Sequence, residues 1–315
     1  MGSGCSTKLM LLVGIFLLVL VVIGFAFGPI GAKLFNIEPP EFLKIGVAHT
    51  KLPSEPIFYV SSFGITNTLL ASWLTIIVLF LLLYFATRKM KLVPGRLQNF
   101  AEIIVEGLLN FVEGAAEKKH SRIIFPVIAT IFLYVIANAY LALLPFFGTI
   151  GFYEGEKTIV PILRAANTDI NLPLSIALIS VIFVEYLGFR SFGSIKYINS
   201  FFNFDKLISG FATFFKGNLR TGIVEILYGI IYLFIGVLEV VSHFIRIISF
   251  TFRLFGNMTA GEVLLMMMAF LMPLFAGVPF YGLELLIGFI QALVFAGLTL
   301  GFAMVAVMPH EEESH

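Results

Sequence analysis

Residues 239–262 read EVVSHFIRIISFTFRLFGNMTAGE, with two arginines and two glutamates set inside an otherwise apolar run. An arginine near a bilayer centre costs roughly 2.5–3.5 kcal/mol on insertion scales, so each such charge asks for a partner and a purpose. At about 100° per residue, Glu239, Ser242, Arg246, Ser249, Arg253 and Asn257 recur at steps of three or four and share one drifting stripe of a single helix. Glu262 lies about half a turn out of phase with Arg253 and roughly 13 Å further along the axis. One polar pair would be read as glue between helices or as snorkelling to the interface. A stripe four turns long points to function.

Outward from that stretch, the composition settles the class. The chain has 315 residues, 59% hydrophobic and only 12% charged, and a mean hydropathy of +1.01. These values place it among integral membrane proteins. The net charge of +1 implies no nucleic-acid partner. One cysteine, Cys5, excludes an internal disulfide and a multi-cysteine metal site. The expected fold is all-α, with about six hydrophobic helices, the last two long and strongly tilted, plus an amphipathic surface helix, all in a single membrane domain over 1–315.

The apolar segments follow in order. Residues 9–28 are long enough to cross a hydrocarbon core of roughly 30 Å; a retained helix is expected, with a signal sequence as the alternative. Residues 29–66 carry Pro29, Pro39, Pro40, Pro53 and Pro56 and read as extramembrane. A span at 67–87 ends at Arg88, Lys89 and Lys91. After Pro94-Gly95, the helical spacing of Phe100, Ile103, Ile104, Leu108, Phe111 and Val112 predicts an amphipathic helix ending in Lys118-Lys119-His120. Residues 123–147 form a span carrying Asn138. Asn167, Thr168, Asp169 and Asn171 then stand at the mouth of a span at 172–189, where Asp169 or Asn171 is expected to cap the helix ahead of Pro173. Glu185, near its far end, reads as facing headgroups.

Residues 190–222 form a polar, aromatic connector. Residues 223–272 run without proline, and as a helix they would measure about 75 Å, more than twice a bilayer. They must tilt, bend, or break near Gly256-Asn257 and Gly261. The last span, 278–308, contains Glu284 and Gln291 and precedes the acidic residues Glu311, Glu312 and Glu313. Segments 88–122 and 190–222 hold seven and five Lys/Arg, against three and two in 29–66 and 148–170. The richer pair should be cytoplasmic, which puts both termini inside if the first helix is retained.

Buried arginine does not release its proton, so Arg253 is either a fixed barrier to a proton wire or a fixed partner for an anion. A carboxyl group can be shifted by desolvation into a range where it exchanges protons. Glu284 and Gln291 share a face, and Glu262 reaches it if the two long helices pack antiparallel. Two polar paths follow, one beside Glu262 and Glu284 and one beside Glu239, separated by Arg253.

The run Phe252 to Glu262, FRLFGNMTAGE, resembles the signature of the ATP synthase A chain family, subunit a of the membrane sector of rotary F-type ATP synthases. Pro94-Gly95, Asn138 through Pro145, the Asn167 to Asn171 cluster and Gln291-Ala292 extend the likeness over about residues 57–313. The resemblance implies a stator proton channel in a bacterial-type plasma membrane, with two offset half-channels that load and unload ring carboxylates. The implied partners are the c-subunit ring, b-type peripheral stalk subunits and the remaining subunits. No cofactor or metal is implied, and nucleotide chemistry would lie on other chains; no glycine-rich phosphate loop occurs here.

Residue by residue, Arg253 matches the family's essential arginine, partner of the ring carboxylate and barrier to leak. Glu262 and Gln291 match the path from outside, with Asn167 and Asp169 at its mouth. Glu239 matches the acidic residue of the cytoplasmic path, with Ser242 and Ser249 nearby, and Asn257 and Arg246 support the arginine. Family members often pair a carboxylate with a histidine at the Glu262 and Glu284 positions. This chain has glutamate at both, and His243 and His310 lie elsewhere. A secondary transporter would predict an internal repeat, which is not seen; a purely structural subunit would tolerate Arg253→Gln.

Overall fold

Apolar runs of this length become helices because a backbone in lipid must satisfy its hydrogen bonds within its own segment. In the computed structural model, residues 3–36, 53–116, 118–154, 158–193, 213, 219–271 and 277–307 are described. Pro39, Pro40, the basic residues Lys196, Lys206 and Lys216, His310 and the acidic Glu311–Glu313 lie outside them. The helices are α1 (Ser3–Phe27), α2 (Pro29–Phe35), α3 (Asn67–Thr87), α4 (Arg96–Ala115), α5 (Lys118–Ala142), α6 (Asn171–Phe192), α7 (Leu219–Leu271) and α8 (Val278–Val307). Two antiparallel hairpins interrupt them, β1 (Pro56–Val60) with β2 (Phe63–Thr66) and β3 (Gly151–Glu154) with β4 (Thr158–Pro161). Apart from these hairpins the architecture is all-α. Among the described residues, five helices are long and apolar enough to cross a membrane, or six if α1 and α2, bent by 71°, make one span.

The chain divides into two compact units, whose boundaries fall inside α3, α5, α7 and α8 and just ahead of α6. The first unit holds residues 1–77, 135–169 and 254–291. Its buried apolar residues include Ile65, Ala71, Val135, Ala139, Leu254 and Met258, and its buried polar ones Asn67, Thr68, Asn138, Arg164, Asn167, Glu284 and Gln291. The α1–α2 elbow belongs here: any side chain at Gly28 would strike the Leu271 carbonyl at the end of α7. The second unit holds residues 78–134, 170–253 and 292–315. It packs Ile124, Ile128, Val184, Phe250, Phe295 and Leu300, with the rings of Phe250 and Phe295 4.7 Å apart.

Several expectations change. Of the courses open to the long run, tilt, bend or break, the break does not occur: Leu219–Leu271 is one unbroken helix of 53 residues, passing through Gly256 and Gly261, and spans about 80 Å. Lys118 to His120 do not end the amphipathic helix; α4 stops at Ala115 and they open α5. On α4 the buried residues are Gln98, Ala101, Leu108 and Val112, whereas Phe100, Ile103 and Phe111 stay exposed, so burial follows a narrower stripe than the apolar pattern. Within 29–66, read as extramembrane, the described residues include α2 and the first hairpin.

Candidate functional site

The ionisable residues fall into two clusters, one in each unit. In the first unit, the turn after β4 delivers Arg164, which is buried, to Glu262 on α7. Its Nε donates to both carboxylate oxygens, at 3.0 and 3.2 Å, and Nη2 donates to Oε2 at 3.1 Å. Nη1 donates to the Pro53 carbonyl at 3.3 Å. A fork of this kind fixes geometry as well as charge. In the sequence Arg164 is only a loop charge, and its 98-residue separation from Glu262 leaves no local signal of the pair.

Glu284, 4% exposed, lies against α7 at Gly261, where a methyl group would overlap its carboxyl. Its Oε2 has no hydrogen-bond partner. Asn257 donates from Nδ2 to Gln291 Oε1 at 2.7 Å, joining α7 to α8, while Gln291 Nε2 is unpartnered. So α7 and α8 do bring Glu284 and Gln291 to the same stretch of α7 as Glu262. Glu262 itself is bound to Arg164 rather than to Glu284.

The Asn167 to Asn171 cluster does something other than capping. Residues Ala166–Thr168 form a 3-10 turn, and Asn167 is fully buried with neither amide atom partnered. Asp169 accepts the Thr68 hydroxyl at 3.0 Å, which ties the turn to the start of α3. Helix α6 begins at Asn171, and no side chain caps it at Ile170, because Asp169 points its carboxylate to Thr68 instead.

In the second unit the stripe on α7 is partly exposed. Glu239, Arg246, Ser249 and Arg253 are half-buried, and Ser242 is exposed. Asn257, the stripe's last residue, belongs to the first unit and is exposed. Arg253 reaches Ser249 Oγ at 3.4 Å and lies 5.8 Å from the Phe250 ring centre, and it makes no ion pair among the described residues. The Arg246 guanidinium sits 3.5 Å above the Phe302 ring. Glu185 does not stand as a headgroup-facing charge. Its Oε1 is 2.5 Å from Nδ1 of His243, so a histidine with no role legible in the sequence meets a carboxylate on α6.

Long apolar helices carrying a buried carboxyl, buried amides and, among the described residues, an arginine without an ion pair define a polytopic, ion-handling class of membrane protein. Residues 69–304 match the family model described as ATP synthase A chain. The chain is 30% identical over 252 residues to ATP synthase subunit a of Geotalea daltonii, covering 80% of this chain and 90% of that protein. It is 31% identical over 246 residues to that of Gloeobacter violaceus, covering 78% and 85%. With ATP synthase subunit a of Campylobacter jejuni it shares 30% over 231 residues, covering 73% and 84%. The chain belongs to the ATP synthase A chain family.

Proposed function

We propose that this chain is the stator proton-channel subunit of an F-type ATP synthase, lying against a ring of c subunits in a bacterial plasma membrane. The observation that carries the proposal is Arg253, a half-buried guanidinium on an apolar helix with no carboxylate of its own chain among the described residues. A permanent cation in that setting favours an anion from a neighbouring chain, and the ring carboxylate is that anion. Protons enter beside Glu284, Gln291 and Asn167, load the ring, and leave beside Glu239, Ser242 and Ser249. Arg253 bars the direct route because it gives up no proton. Moving one charge through 100 mV is worth about 2.3 kcal/mol, which offset paths joined only through the ring turn into rotation in one direction.

Further support comes from the orphaned polar atoms of Glu284, Gln291, Asn167 and Asn138 in the first unit, since buried groups of that kind are normally satisfied by water. Small residues Gly256 and Ala260 beside Val263 and Met267 form a shallow apolar groove on α7, the surface texture that lets another helix approach closely. Arg164 takes up both oxygens of Glu262, so proton exchange on the outer path falls to Glu284, with Asp169 holding the mouth to α3. The b-type stalk subunits and the remaining subunits complete the assembly, and both chain ends lie on the cytoplasmic side.

ATP-driven acidification of vesicles carrying the whole complex tests these roles, with assembly checked for every variant. Arg253→Ala should assemble, lose pumping and raise passive proton leak; normal pumping would make the stripe a packing feature and end the proposal. Glu284→Gln should cut pumping about a hundredfold or more, the scale of a lost proton-transfer group. The paired change Arg164→Gln with Glu262→Gln should keep most of it. The reverse order would assign the relay to Glu262.

A further inference from the structure

We propose that Glu185 and His243 form an additional protonatable station on the cytoplasmic path, in series with Glu239. The proposal rests on the half-channel reading above and adds to it two residues from two helices. Glu185 lies on α6 and His243 on α7, their side chains 25% and 20% exposed, with Oε1 and Nδ1 2.5 Å apart. Both helices have spanning length and composition. Glu239 stands one turn before His243 on the same face of α7, half-buried and without an ion pair among the described residues.

Helix glue does not require ionisable groups here. On α6 itself, Ser180 shares a 2.8 Å hydrogen bond with Thr299 of α8, a neutral contact that joins the helices without burying charge. A carboxylate and an imidazole in the same interface are a more expensive solution, since breaking either one leaves an uncompensated charge. What they add is proton exchange. Imidazole and carboxylate together take up one proton, becoming imidazolium and carboxylate, and release that proton to Glu239 or to water as a unit. No other bond changes. Arg246, one turn further on, has its guanidinium stacked on Phe302 and cannot substitute, because it holds its proton.

The test uses vesicles containing the complete complex, and passive proton flow is measured after the catalytic sector is removed. Glu185→Gln and His243→Gln should each lower passive flow and ATP-driven pumping about a hundredfold with assembly intact. The exchange Glu185→His with His243→Glu should recover part of that loss. The double change Glu185→Leu with His243→Leu removes both charges without stranding either, so it should assemble and show the same loss. Native flow in the assembled double leucine variant overturns the station, as does its failure to assemble, which would make the pair a packing element. Arg253→Ala run alongside separates the two ideas: if it pumps normally, the half-channel reading fails whatever the pair does.

Discussion

The two clusters treat charge in opposite ways. In the first unit the carboxylate of Glu262 is matched within the chain, clamped by three hydrogen bonds from Arg164. In the second, Arg253 has a long contact to Ser249 and a ring beside it, and makes no ion pair among the described residues. The same two residue types are therefore met differently: one arginine is closed on a carboxylate of its own chain, while the other is left for the partner proposed above. Intramembrane charge alone does not identify a working group; whether its own chain already satisfies it does.

Beyond the loss of pumping expected for Arg253→Ala, the largest effect that sharpens this contrast lies at Arg164. Arg164→Leu strands Glu262 and should destabilise the assembled complex by about 3 kcal/mol, most of which returns when Glu262→Leu is added. Thermal melting of the purified complex reads both, and a single variant as stable as the native chain would break the comparison. Gly261→Ala comes next. The new methyl displaces the Glu284 carboxyl, so pumping should fall several-fold with assembly unchanged, whereas Gly107→Ala, which meets nothing within 4 Å, should have no effect. Equal activity in the two would remove Glu284 from the path. The smallest change is Thr68→Val, which deletes the hydroxyl bonded to Asp169 and should lower stability by about 1 kcal/mol with little effect on pumping.

Much of the fold is legible because lipid imposes one solution on long apolar runs. The segments at 67–87 and 278–308 mark α3 and α8 to within a residue. The stripe from Glu239 to Asn257 is visible because a helix repeats its faces at fixed steps. Pairings between distant segments are a different matter. Nothing local distinguishes Arg164 from an ordinary loop arginine, and Glu185 and His243 meet only because α6 and α7 pack, which no periodicity reports. The end of α4 is misread from sequence because Lys118-Lys119 suits a helix C-terminus, whereas they open the following helix, where the helix dipole disfavours cations. The glycines of α7 offer a break that its packing does not use, since Gly261 makes room for Glu284 rather than for a bend.

The continuity of α7 has a mechanical side. If a ring carboxylate pulls on Arg253 as it passes, as the proposed function requires, the load falls on an uninterrupted rod of 53 residues. A hinge at Gly256, one turn away, would yield under that load and waste the stroke. An unjointed helix instead behaves as a stiff beam, so that under the proposed function the displacement would fall to the part that turns.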